Sequence, residues 1–128
     1  MLGARVIGTC STNEKAMAIR AAGGDDVILY TQDDVAKEVM HLTDGLGVHA
    51  VFDGVGKTTF DAGLEVLRAK GHMVIYGLAS GNVHPFDINS ISGITDRVSQ
   101  GCSSITWANL STYNAHRENR LQRAQTVL

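Results

Sequence analysis

Short apolar runs recur along the chain at nearly even intervals: Arg5 to Thr9 (RVIGT), Val27 to Tyr30 (VILY), Ala50 to Phe52 inside VHAVFD, and His72 to Tyr76 (HMVIY). Counted from Arg5, Asp26, Val48 and His72, the runs start about 22 to 23 residues apart, the length of one strand plus one helix in a parallel sheet. The intervening polar stretches carry a different rhythm. Val35, Val39 and Leu42 fall at i, i+4 and i+7, and Phe60, Leu64 and Leu67 repeat that spacing, so each stretch predicts a helix with one apolar face able to cover a sheet. The pattern as a whole predicts an α/β fold.

Turn and cap signals divide the chain at the same places. Ser11 to Glu14 reads as an S-x-x-E capping box opening a helix to about Ala22, which Gly23 and Gly24 stop. Thr31 to Asp34 predicts the start of a helix to about Leu42, ended by Asp44 to Gly47 (DGLG), and Thr58 with Asp61 predicts a third cap. Between the apolar run Ala50 to Phe52 and that third helix, Asp53 to Gly56 read as a tight turn that includes Gly54, Val55 and Gly56. In open α/β sheets ligands sit beyond the carboxyl ends of the strands, where these residues fall. The fourth strand likewise runs into a small-residue turn, Gly77-Leu78-Ala79-Ser80-Gly81.

Beyond Gly81 the rhythm changes. Asn82 to Gly101 lacks periodicity and predicts a connection with a short helical piece near Asn89 to Gly93. Ser103 to Trp107 (SSITW) reads as a fifth strand, and Thr112 onward as one helix with Arg117, Leu121, Ala124 and Leu128 on a shared face. That helix has no stop signal, and Met1 to Ala4 reads as the end of a helix feeding the first strand, so the expectation is a chain cut from a longer one.

Composition narrows the function classes. At 128 residues the chain is one domain's worth, and a net charge of −2 gives no general attraction to nucleic acid or anionic lipid. No run is long enough to span a membrane and no signal-peptide pattern opens the chain, so a cytoplasmic location is expected. Cys10 and Cys102 stand far apart, which predicts free thiols, and the histidines offer no pair at helical ligand spacing for a catalytic zinc. The G-x-G-x-x-G turn that holds a dinucleotide pyrophosphate is absent.

The phrases GARVIGTCSTNEKA, DVILY, HAVFDGVGKTTFD, GHMVIYGLASG and SITWANLSTYNAHRENRL, in that order and over nearly the whole chain, resemble the zinc-independent medium-chain NADPH:quinone oxidoreductases, the zeta-crystallin-like group. The resemblance implies a Rossmann-like, mostly parallel sheet with flanking helices, lacking its first strand and glycine-rich turn. Residues 1–128 would then be a partial NADP-binding domain without the catalytic domain. In the family's usual strand order, 3-2-1-4-5-6, the absent strand lies between this chain's first and third. That leaves either an open seam or a direct re-pairing of Arg5 to Thr9 with Ala50 to Phe52. The activity implied for the complete enzyme is hydride transfer from NADPH to a quinone or related conjugated carbonyl.

The first strand ends in Thr9, Cys10 and Ser11, with no carboxylate to repel a 2′-phosphate. Ser11 stands at that strand tip and Lys15, in the following helix turn, can pair with the phosphate as a point charge, while Tyr30 matches the family position beside the same phosphate. On the residues alone, Ser11 caps a helix, Lys15 is a solvated lysine and Tyr30 packs, and both readings stand at this point. Gly54, Val55 and Gly56 match the family's turn on the adenosine and ribose side, and Tyr76, Gly77, Ala79 and Ser80 match the turn near the nicotinamide. Trp107-Ala108-Asn109 stands where the family often has a cofactor-binding arginine. No residue reads as a general acid, base or nucleophile, and Asp53 and His49 read as an ordinary strand-end carboxylate and a satisfied histidine. The resemblance also implies a homodimer through the Ser103 to Trp107 edge strand. Three functions follow as alternatives: a nucleotide-domain fragment of a quinone oxidoreductase, inactive or weakly binding by itself; a fragment of a related enone or enoyl reductase; or a non-catalytic folded interaction module.

Overall fold

The computed structural model describes residues 3–91 and 103–127. The chain forms two compact units, residues 1–48 and 49–128. The first contains β1 (Ile7–Cys10), α1 (Asn13–Ala21), β2 (Asp26–Leu29) and α2 (Val35–Leu42). β1 and β2 form a parallel ladder running from the pair Ile7 and Asp26 to the pair Cys10 and Leu29. The small core of this unit is Cys10, Ala16, Ile28 and Val39, one residue from each element. Arg5 braces its lower end: Nε and one terminal nitrogen meet the Asp26 carboxylate at 2.8 Å, and the other terminal nitrogen donates to the Leu42 carbonyl at 2.8 Å.

Helix starts differ in detail from the capping patterns. The N-cap of α1 is Thr12, whose hydroxyl accepts the Lys15 amide at 3.4 Å, so Ser11 does not cap the helix. The reason lies one residue upstream. Ser11 is held by a bond from its carbonyl to the Thr31 hydroxyl at 3.0 Å, which keeps it with the strand ends. Asp34 caps α2, accepting the Lys37 amide at 3.2 Å, as the Thr31 to Asp34 signal required. The DGLG stop is also as expected, with Asp44, Gly45 and Gly47 all at positive φ, where glycine adopts the left-handed conformation without strain.

The second unit contains β3 (Val48–Asp53, which takes its first residue from the other side of the boundary), α3 (Phe60–Glu65), β4 (Leu67–Ile75), a 3₁₀ turn (Ile88–Ile91), β5 (Ser104–Trp107), α4 (Leu110–Tyr113) and α5 (Arg117–Val127). The sheet order is β3-β4-β5, with β4 and β5 parallel from His72 and Ser104 to Ile75 and Trp107. Phe60, Leu64, Val66, Leu67, Met73 and Ile75 form its core, with Phe60 and Met73 fully enclosed. A Cβ on Gly63 would stand 2.9 Å from the Met73 methyl, so this glycine lets α3 lie close on β4.

Several expectations change here. Among the described residues the strands form two ladders, β1-β2 in the first unit and β3-β4-β5. Leu67 is buried as expected, but as the first residue of β4: α3 ends at Glu65, and the strand begins five residues before His72. Lys70 interrupts that strand at φ 63, ahead of Gly71, so a helix-like apolar spacing and a strand meet in one short stretch. The single helix expected from Thr112 is α4 and α5, and α4 starts at Leu110 because the Asn109 side chain accepts the Ser111 amide at 2.9 Å and its hydroxyl at 2.6 Å. The helical piece near Asn89 to Gly93 is the 3₁₀ turn at Ile88–Ile91, while Gly93 and Cys102 lie outside the described residues. Thr58 and Asp61 form no cap, and Thr59 holds the N-cap position of α3 without a capping bond. Among the described residues no helix is long and apolar enough to cross a membrane.

Candidate functional site

In the first unit the ends of β1 and β2 stay side by side past their ladder, the Tyr30 amide donating to the Cys10 carbonyl at 3.1 Å. This brings Ser11 and Tyr30 to one end of the unit. From the first turn of α1, the Lys15 ammonium reaches back and donates to the Ser11 hydroxyl at 3.1 Å. Tyr30 is 55% exposed, so its ring is presented to solvent and does not pack. The one nearby carboxylate, Glu14, is itself engaged. Its own backbone amide and then the Thr12 hydroxyl hold it below the usual carboxylate range. A depressed carboxyl of this kind supports the helix start above its unfolded-state pKa, and the support fades as pH falls through the folded value.

In the second unit the strand-end carboxylate of Asp53 is the organising group, a role that sequence reasoning missed. It is 5% exposed and accepts the Val55 amide at 2.7 Å, the Gly56 amide at 3.1 Å and the Thr59 hydroxyl at 2.9 Å to each oxygen. The signal available was an aspartate directly before G-x-G, since aspartate accepts hydrogen bonds from amides two and three residues on. These bonds fix Gly54 to Gly56 as a tight turn at the carboxyl end of β3.

The turn after β4 is laid against it. The Tyr76 amide donates to the Asp53 carbonyl at 2.9 Å, the Ser80 amide to the Val55 carbonyl at 2.8 Å, and the Lys57 amide to the Gly81 carbonyl at 3.1 Å. The Ser80 hydroxyl accepts the Thr58 amide at 3.1 Å and donates to the Val55 carbonyl at 2.8 Å. Backbone contact is so close that a Cβ on Gly77 would stand 2.5 Å from the Gly54 carbonyl oxygen, and the Tyr76 ring occupies the space a Gly54 Cβ would need. Gly56, at φ +87 and facing the Gly81 carbonyl, is required on both counts. The expected residues Gly54, Val55, Gly56, Tyr76, Gly77, Ala79 and Ser80 are therefore brought together, and the glycines already serve loop-to-loop contact within the protein. Ser11, Lys15 and Tyr30 form the corresponding cluster of the first unit.

Among the described residues no three His, Cys, Asp or Glu side chains gather to hold a metal.

Comparison with known proteins places these features. The model of a family described as zinc-binding dehydrogenase matches residues 1–116. A 2-haloacrylate reductase from a Burkholderia species is 42% identical over 93 residues, which is 73% of this chain and 28% of that protein. A Pseudomonas aeruginosa quinone oxidoreductase is 38% identical over 91 residues, again 28% of its length. The Escherichia coli quinone oxidoreductase solved in complex with NADPH superposes with a TM-score of 0.86 at 30% identity, covering 98% of this chain and 37% of that one. The chain thus spans between a quarter and two fifths of the proteins it matches. By the match over residues 1–116, the chain belongs to the zinc-binding dehydrogenase family, and it is similar to the medium-chain quinone oxidoreductases within it.

Proposed function

We propose that the chain is the nucleotide-binding part of an oxidoreductase that uses NADPH to reduce a quinone or another conjugated carbonyl compound. The observation that carries this reading is the Lys15 to Ser11 contact at the end of β1. It sets an ammonium and a hydroxyl side by side at a strand end lacking a carboxylate, while Glu14 is engaged with Thr12. A 2′-phosphate suits such a pair, because lysine supplies a compact positive charge and the hydroxyl a donor. Tyr30, exposed on the adjoining strand end, would lie beside the same phosphate. In the second unit, Gly54 to Gly56 and Tyr76 to Ser80 would present backbone and the Tyr76 ring toward the ribose and nicotinamide. NADPH, when bound, supplies the hydride; the chain's own residues bind and orient it.

The experiment is a titration of the chain with NADPH and NADH, followed by amide NMR. We expect weak binding with NADPH favoured about fivefold, and the preference lost in Lys15→Ala, since one exposed charge contact is worth about 1 kcal/mol. Equal affinity for the two cofactors, or an unchanged preference in Lys15→Ala, overturns the assignment of the 2′-phosphate. Binding of neither cofactor favours the non-catalytic module. The 2-haloacrylate reductase relative supports a second reading for the substrate, an electron-poor unsaturated acid, which a substrate panel on a complete enzyme separates from a quinone.

We also propose that the complete protein is a homodimer through the outer edge of β5. Among the described residues β5 pairs with β4 alone and its Trp107 is 54% exposed, and a strand edge of this kind is a template for a second copy. Analytical ultracentrifugation at high protein concentration is expected to show a dimer, and a monomer alone counts against it.

A further inference from the structure

The start of α1 has two possible registers, and the choice between them decides what stands at the end of β1. Ser11-Thr12-Asn13-Glu14 has the order of a capping box, in which Ser11 accepts the Glu14 amide, Glu14 reaches back to the Ser11 amide, and the Ser11 carbonyl accepts the Lys15 amide as the first bond of the helix. The observed register is one residue later. Thr12 has the extended backbone of a cap, φ −139 and ψ 158, and its carbonyl accepts the Ala16 amide at 3.0 Å. The Lys15 amide turns to the Thr12 hydroxyl at 3.4 Å, which is long for a bond from an amide.

Thr31 is what removes the earlier register. From just past the end of β2 its hydroxyl donates to the Ser11 carbonyl at 3.0 Å, and so takes the acceptor that a cap at Ser11 needs. Kept out of the helix, Ser11 has its own hydroxyl left to accept the Lys15 ammonium at 3.1 Å. We propose that Thr31 is a positioning residue for cofactor choice: by tethering Ser11 it holds the Lys15 and Ser11 side chains as a pair open to a 2′-phosphate, and without it the helix start slips back to Ser11. The slip would commit the Ser11 hydroxyl to the Glu14 amide and bring the Glu14 carboxylate to the Ser11 amide, setting a negative charge where the phosphate binds. Thr31 itself touches no cofactor in this role, which rests on the assignment of the 2′-phosphate to Lys15 and Ser11.

The test compares Thr31→Val, which keeps the shape and removes the hydroxyl, with Thr31→Ser, which keeps a donor, in the 128-residue chain. Carbon NMR shifts report the register with no cofactor present. Thr12 Cα and Cβ are expected at extended values in the wild type and in Thr31→Ser, and at helical values in Thr31→Val. Titrations with NADPH and NADH report the consequence: the preference of about fivefold for NADPH is expected to hold in Thr31→Ser and to fall to about one in Thr31→Val, through lost NADPH affinity with NADH unchanged. A merely structural hydroxyl would weaken both cofactors together. Thr12 shifts that stay extended in Thr31→Val overturn the tether, and so does a full NADPH preference in Thr31→Val when Lys15→Ala has lost it. A preference kept in Lys15→Ala as well is a failure of the phosphate assignment instead, and the Thr12 shifts then judge the tether by themselves.

Discussion

Replacing Asp53 with alanine is expected to destabilise the second unit by about 3–5 kcal/mol, since two amides and a hydroxyl lose their acceptor, each at about 1–3 kcal/mol when partly buried. The Val55 and Gly56 amides and the Thr59 hydroxyl all converge on this one carboxylate. Asp53→Asn separates the components. It keeps one oxygen for the amides and turns a donor toward Thr59, whose hydroxyl can rotate to accept it, so a loss of about 1 kcal/mol is expected. Urea unfolding midpoints at constant m measure both variants. If alanine and asparagine lose equally little, the turn is held by the backbone bonds between Gly54 to Lys57 and Tyr76 to Gly81, and Asp53 is not its organiser.

Phe60→Ala is the second large effect. The ring has no exposed surface, sits at the first position of α3, and carries both His84 and Phe86 on its outer side. Removing a buried phenylalanine costs about 3–5 kcal/mol through lost burial and the cavity left behind. Against the total of about 5–15 kcal/mol common for a domain, that is enough to leave a measurable unfolded population. Phe60→Leu, which keeps most of the volume, is expected to recover more than half of the loss in the same urea experiment. A Phe60→Ala loss below about 1 kcal/mol would show that the surrounding side chains collapse into the space.

Much of this architecture was legible from residue order. The even spacing of apolar runs located the first four strands, SSITW marked the fifth by its own composition, and Asp34 and the DGLG stop marked their helix ends by side-chain chemistry alone. Errors arose where long-range bonds outweighed local ones. Ser11 has the sequence of a cap, yet its carbonyl is held by Thr31, twenty residues on, and the cap passes to Thr12. Leu67 continues the periodicity of α3 and still begins β4, because burial is satisfied from either element. The division into two ladders could not be read from spacing, which reports strands but not their partners. At the candidate site, the cluster of Ser11, Lys15 and Tyr30 followed from the ends of adjacent parallel strands. The role of Asp53 did not, since one acidic residue after a strand is ordinary until its three donors are seen in place.

The Ser80 hydroxyl has given its single proton to Val55 and taken another from Thr58. A molecule settling against Ser80 would therefore find no free hydroxyl hydrogen on that side chain, only the contour of main chain around it. Discrimination at that spot would come from shape and close approach, so trimming a guest by one bulky substituent would change its fit more than exchanging one of its polar atoms.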